Sequence, residues 1–263
     1  MTRAAVTGAR RIVVKVGSSS ISGDNAGRIA PLVDALAATY ARGTEVVLVS
    51  SGAIATGMPY LHLDARPSDL ATQQAAAAVG QNVLVFRYQQ QLDRYAIVAG
   101  QVLLTAGDLD NPTHRSNAQR AMERLLALRI LPIVNENDTV ATHEIRFGDN
   151  DRLASMVSSL VGADLLVLLS DVDALYTRPP GLPGAEPIAH VGYGDDLAGV
   201  EVGSIGAAGV GTGGAGTKIA AARLAAESGT PVLLTATERV AEALAGEELG
   251  TWFDARPRTE RVE

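Results

Sequence analysis

The chain reads as an α/β protein, an αβα sandwich whose central sheet is mainly parallel, and three observations predict this. Short runs rich in Val, Ile and Leu alternate with stretches of helical periodicity. Those runs are almost continuously apolar, as strands covered by helices on both faces must be. Four of them end in small or polar residues rather than in hydrophobic turns: Gly17-Ser18-Ser19-Ser20, Ser50-Ser51-Gly52-Ala53, Asn135-Glu136-Asn137-Asp138 and Ser170-Asp171. In open parallel sheets, ligands gather at the carboxyl ends of the strands.

Ile12–Val16 is the first strand, and Lys15 is the one charge in it. Ile29, Leu32, Val33, Leu36, Ala37 and Tyr40 then recur at helical spacing, with Gly43 as a stop. Glu45–Val49 is a second strand. A long helix is predicted from about residue 70 to 95, a strand over 96–103, a helix over 116–128 and a strand over 130–134. Gly148-Asp149-Asn150-Asp151 precedes a helix ending near Val161, and Leu165–Leu169 is an apolar strand. A Pro- and Gly-rich excursion over 178–187 suits a surface hairpin or flap. The segment Gly206–Lys218, GAAGVGTGGAGTK, leads into an Ala-rich helix, followed by a strand over 231–235 and a short last helix.

Composition excludes several classes. With 263 residues and 47% apolar content the chain can bury one large core without a second domain. A net charge of −7 leaves no basic footprint for nucleic acid or for an anionic membrane. There are no cysteines, hence no disulfides or thiolate metal sites, which agrees with a cytoplasmic address. Arg10 and Arg11 precede an apolar run, but Lys15 interrupts it too early for an export signal. The apolar run Leu165–Leu169 is far too short to span a bilayer.

The glycine-rich stretch ending in Thr217-Lys218 suits a polyphosphate. Glycine lets backbone approach a ligand, and the N–H groups of a following helix terminus favour anions. Known phosphate motifs fit it poorly. Gly209, Gly211 and Gly214 match G-x-G-x-x-G formally, yet no apolar strand leads into them. A Walker A loop needs Gly-Lys-Ser/Thr, whereas the order here is Gly216, Thr217, Lys218, Ile219. A plain surface loop is the alternative. Lys15 likewise has two readings, an ammonium snorkelling to solvent or a buried charge with a partner. Asp149-Asn150-Asp151 reads either as a helix cap or as part of a site. Phosphoryl transfer uses all these groups together, because it demands positioning and charge neutralisation rather than covalent work by the protein. Lys15 and Lys218 would supply two positive charges, and Asp151 is the candidate to hold both. His62, His114, His143 and His190 form no cluster. A carboxylate acceptor, ionised at neutral pH, would need no general base.

Six motifs taken together, VVKVGSSS (13–20), VLVSSGAIATG (47–57), VNEND (134–138), FGDND (147–151), LLSD (168–171) and GTGGAGTK (211–218), resemble those of the amino acid kinase superfamily, in the same order and over residues 11–253. Within it they resemble the branch that phosphorylates free glutamate. The resemblance implies transfer of phosphate from ATP to the γ-carboxylate of L-glutamate, the first step towards proline. It implies catalytic roles for Lys15, Lys218 and Asp151, and glutamate binding by Ser51, Gly52, Asp138 and Asn150. It assigns ATP to Lys15, Gly17, Ser170, Asp171 and the loop Thr212, Gly213, Gly214, Ala215, Gly216, Thr217 and Lys218. Ala215 stands where the superfamily usually has a larger apolar residue. Mg2+ would come with the nucleotide, with no protein ligand assigned.

On this reading residues 1–253 form the kinase domain and 254–263 a polar tail, with none of the C-terminal RNA-binding-like module that many relatives carry. A homo-oligomer (dimer or tetramer), coupling to a glutamyl phosphate reductase and feedback inhibition by proline are further expectations; nucleic acid and membrane partners are not expected. Two alternatives remain open. One is another superfamily kinase acting on N-acetylglutamate, aspartate, carbamate or a nucleoside monophosphate, against which VNEND and FGDND speak. The other is a non-catalytic nucleotide-binding protein, against which the presence of both lysines and Asp151 speaks.

Overall fold

The computed structural model describes residues 2–141, 150–201 and 214–257, with side chains from residue 4. In chain order the helices and strands are α1 (Thr2–Gly8), β1 (Arg11–Val16), α2 (Ile29–Ala41), β2 (Glu45–Ser50), α3 (Ala53–Gly57), α4 (Leu70–Leu92), β3 (Ala99–Leu104), α5 (Ala106–Asp110), α6 (Pro112–Ala127), β4 (Leu131–Glu136), α7 (Asp151–Val161), β5 (Leu165–Ser170), β6 (Leu175–Tyr176), β7 (Pro187–Ile188), β8 (His190–Val191), α8 (Ala215–Glu227), β9 (Val232–Ala236), α9 (Val240–Ala245) and β10 (Thr251–Phe253).

Eight strands form one sheet in the order β3-β4-β2-β1-β5-β9-β10-β8. β1 pairs in parallel with both β2 and β5, and β2–β4, β3–β4 and β5–β9 are parallel as well. Among the described residues only β10 against β9 is antiparallel within it. The strand order reverses at β1, because the chain first builds the β2 side and then returns to place β5 on the other side. That switch point opens a crevice beyond the carboxyl ends of β1 and β5.

Alternation along the strands divides the core into two layers. Ile12, Val14 and Val16 face α2, α4 and α9 through Leu32, Leu36, Leu84, Tyr88 and Leu244. Val13, Val47 and Val49 face the opposite layer, built from α5 to α8 with Met122, Leu153, Val157 and Ala222. Side chains of period two put Lys15 on this second face, with Val13.

Several boundaries differ from the periodicity. The helix expected to reach 95 stops at Leu92, and after a 3-10 turn Ala96 takes φ 53° before β3 starts. The helix expected from 116 starts at Pro112, where Asn111 caps it by accepting from the N–H groups of Thr113 and His114. The excursion over 178–187 is the tip of the two-stranded β6–β7 hairpin. α1, α3, α5, β8 and β10 are too short to register as a period.

α3 and α4 cross with their backbones in contact. A Cβ on Gly80 would lie 1.7 Å from the Ala53 carbonyl oxygen, and one on Gly57 would lie 1.9 Å from that of Ala76. No side chain larger than hydrogen fits at either place, so the crossing fixes α3, and with it the loop Ser51-Gly52 that enters it.

Candidate active site

At the switch point three charges meet out of water. Lys15 is 1% exposed, and its Nζ lies 2.5 Å from Asp151 Oδ1. Lys218 Nζ lies 3.1 Å from Asp151 Oδ2. Asp151 is itself 1% exposed and is the first residue of α7, where the helix dipole favours a carboxylate. One carboxylate thus holds two ammonium groups from opposite ends of the chain. The snorkelling reading of Lys15 does not hold, because its face of β1 is covered by α7. Thr217 Oγ1 approaches Asp151 Oδ2 at 3.4 Å and donates to the Gly214 carbonyl at 2.9 Å within the first turn of α8.

The meeting of α7 and α8 is fixed one turn deeper. Ser155 Oγ, buried four residues after Asp151, donates to the Ala221 carbonyl at 2.7 Å, three residues after Lys218. Ala215, Gly216 and Thr217 are exposed at the N-terminus of α8, directly before buried Lys218. That terminus is a natural seat for an anion. Thr212 and Gly213 lie outside the described residues. Gly17 adjoins the cluster, since a Cβ there would sit 3.8 Å from Lys15 Nζ.

The β2 loop approaches from the other side. Gly52 has φ 93°, and a Cβ on it would come within 3.3 Å of Ser18 Cα, so glycine is required both for conformation and for space. Ser51 Oγ is buried and has no hydrogen-bond partner among the described residues. Asn150 occupies the cap position of α7, yet its side chain does not cap. Its Nδ2 donates to the Ser50 carbonyl at 2.5 Å and to Asn135 Oδ1 at 2.6 Å, tying the ends of β2 and β4 together. Asp138 is half-buried in the turn after β4. Among the described residues Asn135 Nδ2 is likewise buried without a partner. A polar atom in that state asks for a ligand or water.

On the β5 side, buried Ser170 donates through Oγ to Asp171 Oδ1 at 3.0 Å, and Asp171 is exposed. Thr237, which the sequence did not single out, lies with Oγ1 3.0 Å from the Ser170 carbonyl and 3.0 Å from Ser20 Oγ. A threonine has one proton and a carbonyl only accepts, so Thr237 donates to Ser170 and receives from Ser20. It therefore braces the β1 loop against the end of β5. His62, His114 and His190 stand exposed, the last two on Asp108 and Asp254 at the surface, and His143 lies outside the described residues.

A family model for the amino acid kinase family matches residues 10–236. The chain belongs to the amino acid kinase family. Among its members the chain is 78% identical to a glutamate 5-kinase of Clavibacter michiganensis subsp. michiganensis, over 97% of this chain and 98% of that one. It is 76% identical to a glutamate 5-kinase of Leifsonia xyli subsp. xyli, over 95% of this chain and 93% of that one. A carbamate kinase from Giardia lamblia, solved bound to AMP-PNP, shares the amino acid kinase fold with a TM-score of 0.68 at 15% identity, covering 95% of this chain and all of that one. Among the described residues no helix is long and apolar enough to cross a membrane.

Proposed function

We propose that this amino acid kinase transfers the γ-phosphoryl group of ATP to the γ-carboxylate of L-glutamate. One observation carries the mechanism: two buried ammonium groups held on a single carboxylate at the switch point of the sheet. A glutamate carboxylate oxygen attacks the γ-phosphorus, the bond to the β,γ-bridging oxygen breaks, and ADP leaves with that electron pair. No proton moves, because a carboxylate with pKa about 4.3 is already ionised at neutral pH. Lys15 and Lys218 stabilise the transferring phosphoryl and its leaving oxygen, and Asp151 holds them in place. Gly17, Ser170, Asp171 and the residues Thr212 to Lys218 bind the nucleotide. Mg2+ would come with the nucleotide and neutralise charge on its phosphates, with no protein ligand assigned; Asp151, whose oxygens face the two ammonium groups, would position those instead.

The acceptor half is Ser51, Gly52, Asn150 and Asp138. The Ser51 hydroxyl, without a hydrogen-bond partner among the described residues, suits a substrate carboxylate. Asp138, on a strand-end loop, takes the α-ammonium, which needs an anion in a site whose phosphate side carries net positive charge. The high identity to glutamate 5-kinases over nearly the whole chain supports glutamate above N-acetylglutamate, aspartate or carbamate. The acyl phosphate product is labile to water, which favours a reductase that consumes it close by, with proline as the feedback ligand. A homo-oligomer is supported by the outer face of α4, where Val79 and Phe86 are exposed, and a cytoplasmic address by the use of ATP. The test is incubation with MgATP, hydroxylamine and a panel of acidic amino acids. Hydroxamate from glutamate is expected; hydroxamate from another acid alone, or none, refutes the assignment.

A further inference from the structure

We propose that Tyr88 is a positioning residue for the acceptor half of the site, setting, through Ser50, the direction of the Ser51–Gly52 peptide. The proposal rests on the reading of that loop as the acceptor loop. Tyr88 is fully buried in α4, on the layer that faces Ser50 rather than Lys15. Its hydroxyl lies 3.0 Å from Ser50 Oγ, and Ser50 Oγ in turn reaches the Ser51 carbonyl at 3.2 Å.

Proton counting gives the relay a direction. The Ser51 carbonyl only accepts, so the single Ser50 proton goes to it, and the Ser50–Tyr88 bond is made with the tyrosine proton. Burial pushes the Tyr88 phenol well above its usual range, partly offset by its bond to Ser50, so that proton stays in place at every working pH. The peptide is planar and trans, and hence pinning the Ser51 carbonyl aims the Gly52 N–H the opposite way.

This peptide needs a restraint. It leads into a glycine at φ 93°, which offers no Cβ to hinder a flip. The neighbouring carbonyl, that of Ser50, is held separately by Asn150 Nδ2 at 2.5 Å. The carbonyls on either side of the Ser51 side chain are therefore both fixed, one from α7 and one from α4. Ser51 Oγ, the group with no partner among the described residues, stands between them.

Tyr88→Phe removes one hydroxyl and keeps the ring that fills the core. Steady-state kinetics of Tyr88→Phe, Ser50→Ala and the double variant should each show a glutamate KM raised about five- to tenfold, the worth of one buried hydrogen bond. The ATP KM should stay within about twofold, and the double variant should be no worse than the worse single one, since both cut the same relay. Ser50→Thr keeps the hydroxyl and should restore the parental KM. A purely structural role would instead move both KM values together. A parental glutamate KM in Tyr88→Phe, or additive effects in the double variant, overturns the relay. If Tyr88→Phe fails to fold, Ser50→Ala against Ser50→Thr decides it. A parent enzyme that turns over a different carboxylic acid overturns the glutamate reading alone, and the same variants then decide the relay on that acid's KM.

Discussion

Replacing Asp151 by asparagine removes one charge and almost no volume. In the parent, the site sums to one net positive charge from Lys15, Lys218 and Asp151; in the variant it sums to two. At an effective dielectric constant of about 20, the contacts at 2.5 and 3.1 Å correspond to attractions of about 7 and about 5 kcal/mol. Desolvation offsets much of this, and removing one partner of a buried pair typically costs about 3–5 kcal/mol. Asparagine retains one acceptor oxygen, which favours the lower half of that range. For a chain of this size the melting temperature should fall by about 6–15 °C. Saturating MgATP should recover most of the drop, because the phosphates supply the missing negative charge. The turnover number should fall by about 10²–10³, as the ammonium groups are no longer held where charge develops, while the ATP KM does not rise. Thermal melts with and without nucleotide, run beside steady-state kinetics, separate these effects. A melting temperature within about 2 °C of the parent's together with turnover within about threefold would refute the role given to Asp151. So would a raised ATP KM at unchanged turnover, which would make it a ligand of the nucleotide instead.

Gly80→Ala drives a methyl group to 1.7 Å from the Ala53 carbonyl, so α3 must shift. We expect a loss of about 1–3 kcal/mol in denaturant unfolding and a glutamate KM that rises with no change for ATP. Thr237→Val keeps shape but removes the brace between Ser20 and Ser170, and should raise the ATP KM about five- to tenfold while sparing glutamate. The raised Tyr88 phenol gives an alkaline signature. Its contribution to stability is fully present below the unfolded pKa of about 10 and is lost as pH rises from there towards the folded value. Melting temperatures taken at about pH 9 and about pH 11 should therefore fall less in Tyr88→Phe than in the parent.

Five of the six long parallel strands could be read from apolar runs because burial on both faces leaves a continuous signature, whereas β3, at the sheet edge with Gln101 exposed, is only partly buried. β8 and β10 could not, since two or three residues carry no period, and the antiparallel turn of β10 follows from pairing rather than composition. Lys15 shows how far a local reading reaches. Its strand was evident, but whether its charge was solvated or paired depended on a carboxylate brought back by the later helix α7. The Asn150 side chain sits at a cap position and does something else, which no local rule could tell. Ser155, Thr237 and Tyr88 left no trace either, as one hydroxyl in an ordinary helix or turn looks like any other until its partner across the fold is known.

The order of strands around β1 also bears on how such a chain can change. Everything on the β2 side of β1, from β2 through α4 to β4 and its loop, comes from one uninterrupted stretch, residues 45–141. The β5 side, with α8 and β9, comes from a later one, and the start of α7 is the joint, where Asn150 reaches β2 and β4 while Asp151 reaches Lys218 of α8. On the proposed assignment, acceptor recognition falls in one block, from Ser51 to Asn150, flanked by the nucleotide-handling residues Lys15 and Gly17 before it and Ser170 to Lys218 after it. Recombination at two seams, one before β2 and one before α7, could replace the acceptor block whole while the phosphate-handling lysines keep their places.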